Sequence, residues 1–67
     1  MPMKVRDVIR LLEQDGWELD RQTGSHRQFR HGTRPGTVTV AGKPVDDVPQ
    51  GTAANILRQA ELSRPNR

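Results

Sequence analysis

At Gly16 the hydrophobic pattern of this 67-residue chain changes period, and that change fixes the class of fold it can adopt. Before it, Val5, Val8, Ile9 and Leu12 stand at i, i+3, i+4 and i+7 within Lys4 to Asp15, with Leu11 widening the stripe, which is one face of a helix. After it, Trp17-Glu18-Leu19-Asp20-Arg21 alternates apolar with charged, the pattern of a half-buried strand with Trp17 and Leu19 inward. Gly16 itself suits the left-handed position that closes a helix, and Trp17 can fold back on the last turn. The start of the helix is less marked, because nothing near Met3 makes a good N-cap.

The period of two continues beyond a turn at Gln22-Thr23-Gly24. From Ser25 to His31 a second strand places Arg27, Phe29 and His31 on one face and His26, Gln28 and Arg30 on the other. Phe29 is its only large apolar residue, so its face is the core side. Gly32 to Gly36 has loop composition, and the β-branched run Thr37-Val38-Thr39-Val40 is a third strand. Ala41 to Val48 reads as a connection without periodicity. A second helix opens near Pro49, tolerates Gly51 poorly in its first turn, and buries Ala53, Ile56, Leu57 and Ala60. Ser63 to Arg67 is a polar tail expected to fray. The expected architecture is α+β, in the order α-β-β-β-α: a three-stranded antiparallel sheet with two helices on one face. It forms one domain over residues 1–67, with its core in 4–62.

Such a domain has little apolar material to work with. Val, Ile, Leu and Phe number fourteen, just enough for a thin core at a size where single cores are marginally stable. The chain has no cysteine, which removes disulfides, thiol catalysis and thiolate metal sites together, and its two histidines lack metal-site spacing. No metal and no cofactor are expected. Met1-Pro2-Met3-Lys4 runs into charged residues and no apolar run approaches bilayer length, so the expectation is a cytoplasmic protein that does not engage a membrane.

Charge is segregated along the chain. Residues 1–20 carry three cations and five acids, residues 46–67 three of each, and residues 21–45 five cations without an acid. A basic block of this kind favours a polyanionic partner, nucleic acid first, although a solvated cationic surface gives the same count.

Both histidines and two of the nine arginines fall in Gly24-Ser25-His26-Arg27-Gln28-Phe29-Arg30-His31. A lone histidine is more often structural than catalytic. His26 stands out because it sits past a glycine turn, on the open sheet face, with Arg30 on the same side. Imidazole exchanges protons near neutral pH, and a guanidinium fork suits a phosphate. His31 has core-side parity at a strand end, which favours a structural role. Ser25 precedes His26 directly, but neighbours in a strand point to opposite faces, so a serine triad is rejected. Gly36 to Lys43 has the wrong spacing for a phosphate-binding loop. Asp46-Asp47 in a loop is read as solvated.

A helix ending in Asp15-Gly16-Trp17, then Gly24-Ser25-His26-Arg27-Gln28-Phe29, Val38-Thr39-Val40, Gly51-Thr52 and Ile56-Leu57-Arg58-Gln59-Ala60 together resemble the HicA toxins of bacterial toxin–antitoxin pairs. The resemblance spans Lys4 to Leu62. It implies a fold like the double-stranded RNA-binding domain, ribosome-independent cleavage of mRNA, and neutralisation by a HicB-type antitoxin. The family's essential histidine corresponds to His26 and its glycine turn to Gly24. The chain departs from the pattern at Ala53, where leucine commonly follows Gly-Thr, and at Ala41-Gly42-Lys43-Pro44, which lacks the histidine of many members.

The sequence therefore predicts a small endoribonuclease acting on single-stranded RNA without a metal. His26 is the expected base, Ser25, Arg27, Gln28, Arg30 and Lys43 are the expected RNA contacts, and no residue is identified as the acid. The alternatives are a non-catalytic RNA-binding module and an interaction domain whose basic face docks an acidic protein.

Overall fold

A computed structural model describes residues 3–60. The first helix, α1 (Val5–Gln14), follows a two-residue strand β1 (Met3–Lys4) and buries Val5, Val8 and Leu12. Its stop is the one expected from the sequence: Gly16 has φ +98° and its N–H donates to the carbonyl of Glu13 at 3.1 Å. Its start uses a device that local sequence does not reveal. The N–H groups of Val5 and Arg6 donate to the carbonyls of Asp46 and Pro44 at 2.9 and 3.1 Å, and the Asp7 carboxylate accepts the Lys4 N–H at 3.0 Å. Two of the orphan donors at the helix start are thus satisfied by main-chain carbonyls some forty residues away.

Strands β2 (Trp17–Thr23), β3 (His26–His31) and β4 (Thr37–Ala41) form an antiparallel sheet in the order β2-β3-β4. The turn between β2 and β3 is the two-residue loop Gly24-Ser25, with Gln22 and Thr23 already in the strand, so it lies later than the sequence suggests. Gly24 adopts φ +58°, the conformation that tight hairpins of this length require at their first position. The segment after β4 is not purely a connection. It contains β5 (Asp47–Val48), which pairs antiparallel with β1 to make a separate two-stranded sheet, pinned by Lys4 Nζ donating to Asp47 at 2.8 Å. Two residues are too few to show alternation. Helix α2 (Gln50–Gln59) begins after Pro49 and buries Ala53 and Ile56, with Ala60 buried at its C-cap. Leu57 is only half-buried.

Both helices lie on one face of the three-stranded sheet. Trp17, Phe29, Val38 and Val40 point from the strands into a single core with Val5, Val8, Leu12, Val48, Ala53, Ile56 and Ala60. Leu19 does not join them, contrary to the sequence expectation. It pairs with Phe29 and so has the correct face, but β2 is an edge strand whose six residues after Trp17 are all exposed, and Leu19 is 49% exposed. The alternation predicted the face; it could not predict that beyond Trp17 this edge strand stays exposed. The pairing also shifts register between Leu19 and Arg21, which places Asp20 in a bulge. Leu62 and the tail 63–67 lie outside the described residues.

Candidate active site

The register makes the open face a grid of three rows: Glu18, Arg30 and Thr37; Arg21, Gln28 and Thr39; Thr23, His26 and Ala41. Directly paired residues of antiparallel strands share a face, so these nine side chains lie together opposite the helices. None is large and apolar. The two aromatic residues of the chain, Trp17 and Phe29, are both in the core.

His26 occupies one end of this grid, at the start of β3 just after the hairpin loop. It is exposed, and its ring makes no hydrogen bond among the described residues. Its backbone is held firmly nonetheless. The Gly42 N–H donates to the Ser25 carbonyl at 3.2 Å, and the Arg27 guanidinium donates to the Gly42 carbonyl at 2.9 Å, so both neighbours of His26 are tied to the residue after β4. The next residue, Lys43, is exposed; its main-chain N–H and carbonyl close a turn with Asp46 at 3.0 and 2.9 Å, leaving the side chain to reach outward.

The five expected RNA contacts do not all converge. Gln28 and Arg30 share the His26 face, and Ser25 and Lys43 lie at its end. Arg27 lies on the opposite face, half-buried, with its guanidinium committed to Gly42. Strand parity already assigned that face, but its partner comes from fifteen residues away. Arg34, another member of the basic block, is also removed from the open face: it pairs with the Asp15 carboxylate and donates to the Ala60 carbonyl at 3.1 Å, joining the ends of both helices. Arg21 is a cation of the open face that strand alternation does not single out, because the bulge decides its orientation.

His31 has an opposite environment to His26. Its Nδ1 accepts the Thr33 N–H at 3.0 Å, so Nδ1 carries no proton, and Nε2 lies 2.7 Å from the Asp15 carbonyl, which can only accept. In this geometry Nε2 is the donor and Nδ1 the acceptor. The imidazole also meets Trp17 edge-on at a centroid distance of 5.2 Å. Trp17 Nε1 is buried without a hydrogen-bond partner among the described residues, so its place is set by packing. His31 therefore holds the α1–β2 corner, with both nitrogens occupied.

The arrangement is a helix-backed three-stranded sheet that presents an exposed histidine, with Arg21 and Arg30, on its polar face. The family model described as the HicA toxin of bacterial toxin–antitoxin matches residues 5–62 of the 67. The chain belongs to this family of toxins, which act within toxin–antitoxin pairs and so have an antitoxin partner. The sequence matches no curated protein. No helix among the described residues is long and apolar enough to cross a membrane.

Proposed function

We propose that the chain is an endoribonuclease that cleaves mRNA in the cytoplasm independently of the ribosome, with His26 as its catalytic histidine, and that a HicB-type antitoxin silences it by covering that residue. The observation that carries this reading is the contrast between the histidines: His31 has both ring nitrogens bonded, whereas the His26 ring is exposed and unbonded among the described residues.

Cleavage within RNA can proceed by attack of the ribose 2′-hydroxyl on the adjacent phosphorus, with departure of the 5′-oxygen. The reaction needs a base for the hydroxyl, positive charge near the phosphorane oxygens and a proton for the leaving group. Neutral His26 accepts the hydroxyl proton. The face of His31 and its bonds to Thr33 and Asp15 argue against it as the acid, so in this reading the leaving oxygen takes its proton from His26 acting in turn or from water. Lys43, two residues beyond Ala41, the strand partner of His26, is our candidate cation for the phosphorane oxygens. Arg30 is four residues from His26 along the strand, about 13 Å, and serves a flanking phosphate instead. Arg27 supports the strand end rather than touching RNA.

The test compares purified wild type and His26→Ala on RNA in vitro, with growth arrest on expression and melting temperature as companions. General acid–base groups contribute roughly a hundredfold to ten-thousandfold, so cleavage should collapse while the fold and much of the RNA affinity survive. A folded His26→Ala protein that cleaves at the wild-type rate removes His26 from catalysis. A wild type that binds RNA with a steep salt dependence and leaves no shortened products is a binding module, not a nuclease.

A further inference from the structure

The two edges of the sheet are not alike. On β2, Glu18, Asp20 and Arg21 carry charge and the bulge at Asp20 breaks the ladder, both devices that keep an edge from pairing with another strand. On β4, Thr37-Val38-Thr39-Val40-Ala41 has no charge, no proline and an unbroken register with β3. The bond from Gly42 N–H to Ser25 fixes the phase of that ladder. Gly42 and Ser25 form a hydrogen-bonded pair, so Val40–Arg27 and Val38–Phe29 do too, and Ala41–His26, Thr39–Gln28 and Thr37–Arg30 do not. The N–H and carbonyl groups of Thr37, Thr39 and Ala41 therefore face away from the sheet, with no main-chain partner among the described residues, and all three residues are exposed.

We infer that β4 is the docking edge for the antitoxin, which adds an acidic extended strand to it through these main-chain groups. Rows of the grid name the chemistry of that strand. A residue added opposite Ala41 stands two strand spacings, about 10 Å, from His26, with only the Ala41 methyl between them, so an aspartate or glutamate there can lean over to the imidazole. A residue opposite Thr37 faces Arg30 across that threonine, and Lys43 lies just past the strand end. An acidic strand would match these cations, and main-chain bonds would supply affinity that needs no apolar patch. Binding at the edge and occlusion of His26 are then a single event. This inference rests on the toxin–antitoxin reading, but not on the chain being a nuclease.

Amide hydrogen exchange, read residue by residue on the free chain and on its co-expressed complex with a HicB-type antitoxin, tests it. The Thr37, Thr39 and Ala41 amides should exchange at least about tenfold more slowly in the complex, since each acquires a main-chain acceptor. Thr39→Pro deletes an outward N–H without touching the β3 ladder, and should weaken the complex about tenfold or more, whereas Thr39→Val keeps that N–H and should bind as wild type does. If Thr39→Pro fails to fold, exchange on the wild type still decides. A complex that leaves the three amides unprotected overturns the docking edge while leaving the toxin reading intact. Slowed exchange of the same amides in the free chain with rising concentration would assign the edge to a second copy and overturn it as well. Failure to form any complex would overturn both the edge and the HicB-type partner.

Discussion

Replacing His31 with alanine separates a structural histidine from a catalytic one. The substitution removes the bond to the half-buried Asp15 carbonyl at the end of α1, the acceptor for Thr33 N–H, and the edge contact to Trp17. A net hydrogen bond is worth about 1 kcal/mol; the exposed Thr33 N–H can turn to water and adds little. The aromatic contact contributes about 0.5–1.5 kcal/mol, and part of the buried indole becomes wet. The expected loss is about 2–3 kcal/mol, and because a domain of this size moves by roughly 4–8 °C per kcal/mol, melting should fall by about 10–20 °C. Trp17 is the only tryptophan in the chain, so its fluorescence follows the affected corner directly. Thermal melts of wild type, His26→Ala and His31→Ala, with RNA cleavage assayed well below each midpoint, give the comparison. His26→Ala should melt close to wild type and lose cleavage; His31→Ala should melt early and keep it while folded. If His31→Ala melts like the wild type and abolishes cleavage, the assignment of the two histidines is reversed.

Gly16→Ala forces a side chain into φ +98° with its Cβ 2.8 Å from His31 Nε2, whereas at Gly24 a Cβ meets nothing within 4 Å. The first should cost about 2–4 kcal/mol and the second about 1 kcal/mol in a denaturant titration. Leu19→Lys, at a site uncovered by the helices, should change stability by no more than about 0.5 kcal/mol; a loss of several would mean that Leu19 packs in the core after all. Arg30→Ala and Lys43→Ala should each lower the slope of log affinity for RNA against log salt by about one. Arg27→Ala should leave that slope unchanged and lower the melting temperature, because its guanidinium serves Gly42.

Much of this arrangement is written locally in the sequence. The helix from Val5, its stop at Gly16, the three strands and the face of His26 follow from spacing within a few residues, as does the core set of Phe29, Val38 and Val40. What escapes such a reading depends on residues distant in sequence. Leu19 alternates correctly, yet its burial depends on how far a helix reaches across the sheet. Arg27 and Arg34 count toward a basic block, yet Gly42, Asp15 and Ala60 claim their guanidinium groups. Apart from the Asp7 carboxylate on the Lys4 N–H, the acceptors that cap the start of α1 are not in its own neighbourhood; they arrive from Pro44 and Asp46. The resemblance to the toxin family at Gly24-Ser25-His26 added what no periodicity supplies, the particular chemistry expected of that histidine.

That borrowed cap has a consequence for the order in which the protein takes shape. During synthesis the carbonyls that receive the leading N–H groups of α1, and Asp47 that receives Lys4, are made some forty residues after the helix start. Contacts across so long a stretch close late, after the chain has paid the entropy of the intervening loop. The hairpin carrying His26 is local and can form on its own, whereas Gly42, which ties the neighbours of His26, belongs to the same late segment as the cap. A partly made chain therefore has its histidine in a strand but not yet fastened, and the residues that finish the fold are also those that set the histidine in place.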